Sequence, residues 1–139
     1  MNELLCVLFL AAVTFSADAM ADPVLVTSID SKVDTLTKAQ AKRIWSGQTP
    51  SWPNGSALIL VLPPKSADSN QWLAKNIVKM PVDVHRRYLL EKAFAAFIPA
   101  PVQAKSEEEV STSVLSNPGS IGVVSSDALV EGLKVVTVE

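Results

Sequence analysis

The chain is poor in the residues that most often carry out chemistry at enzyme active sites. It contains one cysteine, Cys6, and one histidine, His85, among 139 residues. Cys6 lies in an apolar N-terminal stretch, so the rest of the chain can form no disulfide and offers no thiolate nucleophile. The motifs of serine hydrolases, zinc peptidases and nucleotide-binding P-loops are also missing from the sequence. We therefore expect a protein that is not an enzyme and that carries neither a metal centre nor a cofactor.

His85 is the one side chain that could act as a general base at neutral pH. We expect it in the first turn of a helix, where Arg86 and Arg87 follow it directly. The positive helix terminus and two neighbouring cations disfavour a protonated imidazole. A nucleophile–base pair cannot be assembled around this single histidine, and we expect His85 to lie on the solvated surface.

Basic residues are missing from the first 21 positions. Residues 4–15 are an almost unbroken apolar run, and Ala-Met-Ala follows at positions 19–21. An apolar run of about 7–15 residues before such a small-residue site is typical of a secretory signal peptide, and it is shorter than the ~20 residues that span a bilayer. We expect cleavage near Ala21, a periplasmic location, and one domain of residues 22–139 that is not inserted in the membrane.

The expected mature chain has no excess of positive charge. Removing residues 1–21 removes Glu3 and Asp18 from the 14 acidic residues and leaves all 12 Lys and Arg, so the charges balance. Binding of nucleic acid or of an anionic membrane is therefore not expected.

Short apolar strands alternate with helices along residues 22–139. Strands are predicted at 24–26, 57–62, 121–124 and 133–136, and helices at about 37–46, 66–80, 83–97 and 106–117. Thr37 with Gln40, and Ser106 with Glu109, have the spacing of helix capping boxes. The alternation predicts an α/β fold, a three-layer sandwich with a mostly parallel or mixed sheet.

The predicted core contacts come from the spacing of apolar residues. The third helix is expected to bury Leu90, Ala93, Phe94 and Phe97, which recur at i, i+3, i+4 and i+7. Trp45 and Trp72 are expected in the core, and Trp52 is expected to cover the first helix from a proline-rich loop. Residues 107–109, three consecutive glutamates, are interpreted as a solvated helix start.

The junction between the second strand and the second helix is the candidate binding site. A helix N-terminus offers unpaired backbone N–H groups and a positive dipole, which favour an anion. Lys65 would add positive charge, and Ser66, Ser69 and Asn70 would donate hydrogen bonds. The alternative is ordinary helix capping by Ser66 or Asp68, which needs no ligand.

Two stretches resemble phosphate ABC-transporter substrate-binding proteins. LTKAQAKRIWSGQTPSWPNGSALILV resembles the family's Leu-Thr-x-x-Gln helix followed by Gly, Trp-x-x-Gly and a strand. NPGSIGVVSSDAL resembles the Asn-Pro-Gly-x-Ile-Gly-Tyr signature, with Val123 in place of the aromatic residue. Together they cover about residues 24–136. The resemblance implies one lobe of a type II periplasmic binding protein, which holds a small oxyanion such as phosphate for a membrane transporter.

The chain also departs from that family. Its loop PPKSADSNQ lacks the family's arginine and Gly-Thr pair, and an arginine fork to phosphate is not replaced by one lysine. Residues 22–139 have room for about one of the two lobes. On this resemblance, Gly119 is expected beside the ligand, where a glycine allows close backbone approach.

Two functions follow as alternatives. The first is an exported solute-binding-like protein that takes a small oxyanion at Lys65, Ser66, Ser69, Asn70 and Gly119. The second is a periplasmic module that keeps the fold, binds no ligand and docks on an envelope protein through Trp52 and residues 98–101.

Overall fold

The computed structural model describes residues 22–139, which form one six-stranded sheet and four α-helices. The strands are β1 (Pro23–Ser28), β2 (Thr35–Leu36), β3 (Ile59–Leu62), β4 (Val102–Gln103), β5 (Ser120–Ser125) and β6 (Leu133–Val138). The helices are α1 (Lys38–Trp45), α2 (Asp68–Leu73), α3 (Val82–Phe94) and α4 (Glu107–Ser116). A π-helical turn, Ala74–Val78, continues α2, and a 3-10 turn, Ser126–Ala128, follows β5. The expected signal peptide lies outside the described residues.

The strand order is β2-β6-β1-β5-β3-β4. β1 is antiparallel to both of its neighbours, β5 and β6, and the remaining pairs are parallel. β3 and β5 are parallel and begin at the same edge of the sheet, which we call the amino edge. The edge at which they end is called the carboxyl edge. This mixed, mostly parallel sheet confirms the predicted sheet type.

Helices cover both faces of the sheet. One core layer contains Leu25, Leu60 and Leu62 together with buried residues of α1, α2 and α3. The other contains Val26 and Val61 packed against Val110 and Val114 of α4, with smaller contributions from neighbouring residues. The three-layer α/β sandwich is confirmed, and β3 has no polar alternation because it is covered on both sides. Residues 22–139 thus contain the six-stranded sheet and a core layer on each of its faces.

The start of α1 follows directly from its sequence. The Thr37 hydroxyl accepts a hydrogen bond from the Gln40 backbone N–H at 3.1 Å, and the Gln40 side chain accepts one from the Thr37 N–H at 2.8 Å. The predicted capping box is therefore present. At α4, Ser106 Oγ accepts from the Glu109 N–H at 3.0 Å, which is the N-cap half of the second predicted box.

The predicted core stripe of α3 is wrong. Phe94 is 93% exposed, and Leu90 and Phe97 are 45% and 47% exposed. The helix buries His85 and Leu89 instead, four residues apart on the opposite face. Packing of this second face leaves Leu90 and Phe94 exposed to solvent.

Both outer strands of the sheet, β2 and β4, are two residues long. β2 pairs with the last residues of β6, and β4 pairs with Val61 and Leu62 at the end of β3. Within residues 22–139, no helix is both long enough and apolar enough to cross a membrane.

Candidate functional site

The β3–α2 junction lies at the carboxyl edge of the sheet. β3 ends at Leu62, and α2 begins at Asp68 after Ala67 as its N-cap. Ala67 has no side-chain oxygen for a backbone N–H, and no side-chain cap is present at this helix start in the described chain. Simple capping by Ser66 or Asp68, the alternative interpretation of this segment, is therefore not what the structure contains.

Asn70 and Ser69 are both buried at the start of α2. Asn70 Nδ2 donates a hydrogen bond to the Lys65 carbonyl oxygen at 3.0 Å, which fixes the loop on the helix. Ser69 Oγ donates to Glu107 Oε2, the first residue of α4, at 2.8 Å. These two side chains therefore tie the junction to itself and to the opposite layer of the sandwich.

Glu107 has a second partner at the same edge. Its other carboxylate oxygen, Oε1, accepts from the Ser125 backbone N–H at 2.8 Å, at the end of β5. Glu107 is partly buried, whereas its neighbour Glu108 is exposed. The expectation of a solvated acidic helix start is thus wrong for Glu107, because this partly buried carboxylate bridges the start of α2 and the end of β5.

Lys65 and Ser66 lie on the exposed part of the junction. The Lys65 ammonium forms an ion pair with the Asp83 carboxylate in the first turn of α3. Hydrogen bonding to Lys65, and then its charge, hold the pKa of the Asp83 carboxyl below its ordinary value. Both side chains are more than 60% exposed, so the pair contributes little to stability and leaves Lys65 accessible.

Arg86 is a cation that the sequence analysis did not place at this edge. From α3, its Nη2 donates to the carbonyl oxygen of Pro63, the first residue after β3, and its Nη1 to Gln103 Oε1 of β4 at 3.4 Å. Burial lowers the pKa of the Arg86 guanidinium. The junction loop lacks an arginine of its own, but the fold supplies one from 23 residues further along the chain. A contact of this range leaves no local signal in the sequence.

Gly119 lies at the other side of the sheet from the junction. It directly precedes β5, and β5 is parallel to β3 with Ile59 opposite Ser120, so Gly119 is at the amino edge. The structure therefore brings Lys65, Ser66, Ser69 and Asn70 together and separates Gly119 from them. Its carbonyl oxygen accepts hydrogen bonds from Trp52 Nε1 at 2.7 Å and from the Ile59 N–H at 3.2 Å.

Trp52 is buried in the main core cluster, where Ile44 and Trp45 of α1 also lie. It borders an open cleft of about 470 Å³ that Gly119 also lines. Trp52 and Ile98 are both buried, so the expected docking surface is wrong at these two residues, whereas Ala100 is exposed. The large exposed apolar side chains of α3 are a better candidate for such a surface.

His85 is buried, with 1% of its surface exposed, which contradicts the expected solvated position. Its Nε2 lies 2.6 Å from the carbonyl oxygen of Trp45 at the end of α1. Burial lowers the pKa of His85 below its ordinary value of 6.5, the hydrogen bond to Trp45 opposes this, and Arg86 adds a smaller lowering. A neutral ring that donates from Nε2 is therefore the native form, and His85 joins α3 to α1.

The buried His85 makes stability depend on pH. The unfolded chain takes up a proton near pH 6.5 and the folded chain at a lower pH, so the unfolded state binds more protons between these values. We expect the contribution of His85 to the free energy of unfolding to be fully present above pH 6.5. It should decrease as the pH falls toward the pKa of His85 in the folded protein.

Thermal unfolding at several pH values between about 5.5 and 7.5 measures this effect. This range covers the ordinary pKa of histidine, and the chain has no other histidine. The His85→Gln variant should lose most of the dependence. Parallel curves for the two proteins would show that His85 does not cause it.

The part of the chain that the structure describes contains no group of three or more His, Cys, Asp or Glu side chains that could hold a metal ion.

Comparison with known proteins finds matches among solved structures. An ABC-type phosphate transport receptor from Vibrio cholerae aligns over 86% of this chain and 47% of its own, with a TM-score of 0.60 and 18% identity. PstS from Borrelia burgdorferi aligns over the same shares with a TM-score of 0.66 and 17% identity. A phosphate-binding protein from Stenotrophomonas maltophilia aligns over 85% and 39%, with a TM-score of 0.60 and 15% identity.

The chain has the fold of one lobe of these phosphate-binding proteins. It spans about half the length of the solved structures it matches. No family model and no curated protein sequence matches it. At this level of identity the likeness establishes the fold, and it confirms the resemblance that the two sequence stretches indicated.

Proposed function

We propose that the protein is an exported solute-binding-like protein that takes phosphate or a related small oxyanion at the carboxyl edge of its sheet. One observation carries the proposal: the Ser69 hydroxyl and the Ser125 N–H both donate to a single carboxylate there. Two converging donors, one at the start of α2 and one at the end of β5, can bind the oxygens of a small oxyanion. The names of the matching structures, which are phosphate transport or binding proteins, support the same ligand class.

The proposed ligand groups have different roles. Ser69 supplies a hydroxyl donor, and the exposed Lys65 and Ser66 add charge and a second hydroxyl. Asn70 holds the Lys65 carbonyl oxygen and so shapes the loop. Gly119 is left out of the site, because it lies at the amino edge. The ligand is bound and released without chemical change.

In our proposal the site is open on one side, because the chain spans about half the length of the structures it matches. In our proposal a membrane transporter or a second lobe completes the cleft, and the apolar segment at residues 4–15 directs export.

Thermal unfolding of residues 22–139 in phosphate, sulfate and chloride at matched ionic strength tests the proposal. A ligand at about 100 times its dissociation constant stabilises the folded state by about 2.7 kcal/mol, which is several degrees for a domain of this size. We expect phosphate or sulfate to raise the melting temperature above the chloride value. The double variant Lys65→Ala with Ser69→Ala should lose that increase.

A matched control is available at the opposite edge. Lys32 and Ser56 are exposed residues that border the cleft beside Trp52, and replacing both with alanine removes the same groups without touching the junction. The oxyanion effect should persist in this variant. Persistence of the effect in both double variants would show that the ions act on the protein surface in general, and loss of the effect in both would show that it is not specific to the junction.

A second candidate function is protein interaction. It is favoured by the exposed side chains of Leu90, Phe94 and Phe97, since contiguous exposed apolar surface is typical of interaction sites. If no oxyanion raises the melting temperature above the chloride value, protein interaction is the better supported of the two functions.

A further inference from the structure

The carboxylate of Glu107 is itself a bound oxyanion. Its Oε2 accepts from Ser69 Oγ and its Oε1 from the Ser125 N–H, each at 2.8 Å. Ser69 is fully buried, so its hydroxyl has no water to replace this partner. Both donors on which the proposed function rests are therefore already occupied by the protein.

Helix stabilisation alone does not account for this arrangement. Acidic residues in the first turn of a helix interact favourably with its dipole. The first turn of α4 contains three of them, Glu107, Glu108 and Glu109, so the dipole does not distinguish Glu107 from its neighbours. The cap itself is made by Ser106, which accepts from the Glu109 N–H. Glu107 differs because its two oxygens reach away from α4, to the start of α2 and the end of β5.

We propose that Glu107 fills the oxyanion position of this edge, so that an external phosphate or sulfate binds only by displacing the carboxylate. The inference rests on the proposed function and names Glu107 as the residue that sets its affinity. A carboxylate and a phosphate present similar acceptor oxygens to the same hydroxyl and amide donors. Because Glu107 is part of the chain, it competes at the high effective concentration of a tethered group.

Displacement also has a structural consequence. The Glu107 carboxylate joins the β3–α2 junction to α4 across the end of the sheet. When an external anion takes its place, α4 and the junction lose their direct link, and Glu107 moves into solvent. Oxyanion binding and the connection between these two layers are thus mutually exclusive.

The test compares wild type with Glu107→Ala, Glu107→Gln and Glu108→Gln. Glu107→Ala empties the position, Glu107→Gln keeps its size and removes its charge, and Glu108→Gln removes one charge from the same helix turn without these contacts. Each protein is titrated with inorganic phosphate at constant ionic strength by calorimetry, with circular dichroism to verify folding. If Glu107→Ala does not fold, Glu107→Gln provides the measurement.

We expect the dissociation constant for phosphate to fall at least tenfold in Glu107→Ala, to fall less in Glu107→Gln, and to stay at the wild-type value in Glu108→Gln. An equal decrease in Glu108→Gln would show a general charge effect and overturn the inference.

The outcomes for the two proposals differ. If wild type binds phosphate and the Glu107 variants bind it no more tightly, the inference is overturned and the proposed function stands. Binding only in the Glu107 variants supports the inference and overturns oxyanion binding as the native function. No binding in any of the proteins overturns both.

Discussion

Replacing Gly119 with alanine is expected to lower the free energy of unfolding by about 3 kcal/mol. Gly119 has φ +89°, a backbone conformation that favours glycine, and an added Cβ would lie 2.5 Å from the carbonyl oxygen of Ala57. Since that oxygen belongs to the backbone before β3, it cannot move aside as a flexible side chain would. The strain would also disturb the hydrogen bond from Trp52 Nε1 to the Gly119 carbonyl oxygen.

Gly55→Ala is the matched control for this prediction. Gly55 has a similar φ of +92°, but an added Cβ there would meet nothing within 4 Å. Urea denaturation of both variants separates the backbone strain from the steric contact, and Gly119→Ala should be the more destabilised. Equal losses would mean that the contact with Ala57 is relieved at no cost. The glycine that the family resemblance suggested for ligand approach thus has a structural role at the amino edge.

Replacing Trp45 with alanine is expected to cost about 3–5 kcal/mol, which corresponds to a decrease in melting temperature of about 12–20 °C. Trp45 is fully buried at the end of α1 and is among the largest buried side chains. It packs in the core layer that also contains Leu73 and Leu89. Removing the indole would leave a cavity in this layer that the surrounding side chains can fill only in part.

Trp45→Phe distinguishes packing from hydrogen bonding at this site. Within the described residues, the buried Nε1 of Trp45 has no hydrogen-bond partner, so phenylalanine removes an unsatisfied donor as well as some volume. Thermal and urea unfolding should therefore show a much smaller loss for Trp45→Phe than for Trp45→Ala. Similar losses would indicate that the indole N–H has a partner that stabilises the fold.

Local patterns were sufficient to predict much of this fold. The capping box of Thr37 and Gln40 located the start of α1 to within a residue, because both of its hydrogen bonds join neighbours in the sequence. The unbroken apolar run in β3 predicted a strand covered on both faces, because burial of both faces leaves no room for polar residues.

The error in α3 has a clear physical origin. Leu90, Phe94 and Phe97 have the spacing of a core stripe, but the helix packs through His85 and Leu89. Histidine is counted as a polar residue in a hydrophobic pattern. His85 can be buried because it forms a hydrogen bond with the Trp45 carbonyl oxygen, which is 40 residues away in the sequence. Hydrophobic spacing identifies a helix reliably, but the neighbouring elements decide which of its faces is buried.

The candidate site shows the same division between local and distant information. The junction residues Ser69 and Asn70 could be selected from the sequence because they follow a strand and begin a helix. The distant contacts of the junction could not be predicted from the sequence. Ser69 forms a hydrogen bond with Glu107, 38 residues away, and Arg86 forms one with Pro63, 23 residues away. Such contacts depend on how α3 and α4 pack on the two sheet faces, which no short motif specifies.

The two-residue strands β2 and β4 have a consequence for how this protein can associate. Long, flat outer strands offer rows of free backbone groups and allow another chain to extend the sheet. Here each outer strand is too short to act as such a template, and Lys134 of β6 donates to the Ser31 carbonyl oxygen in the loop before β2. Sheet extension from chain to chain is thus disfavoured, and a partner has to be recognised through side chains and loops.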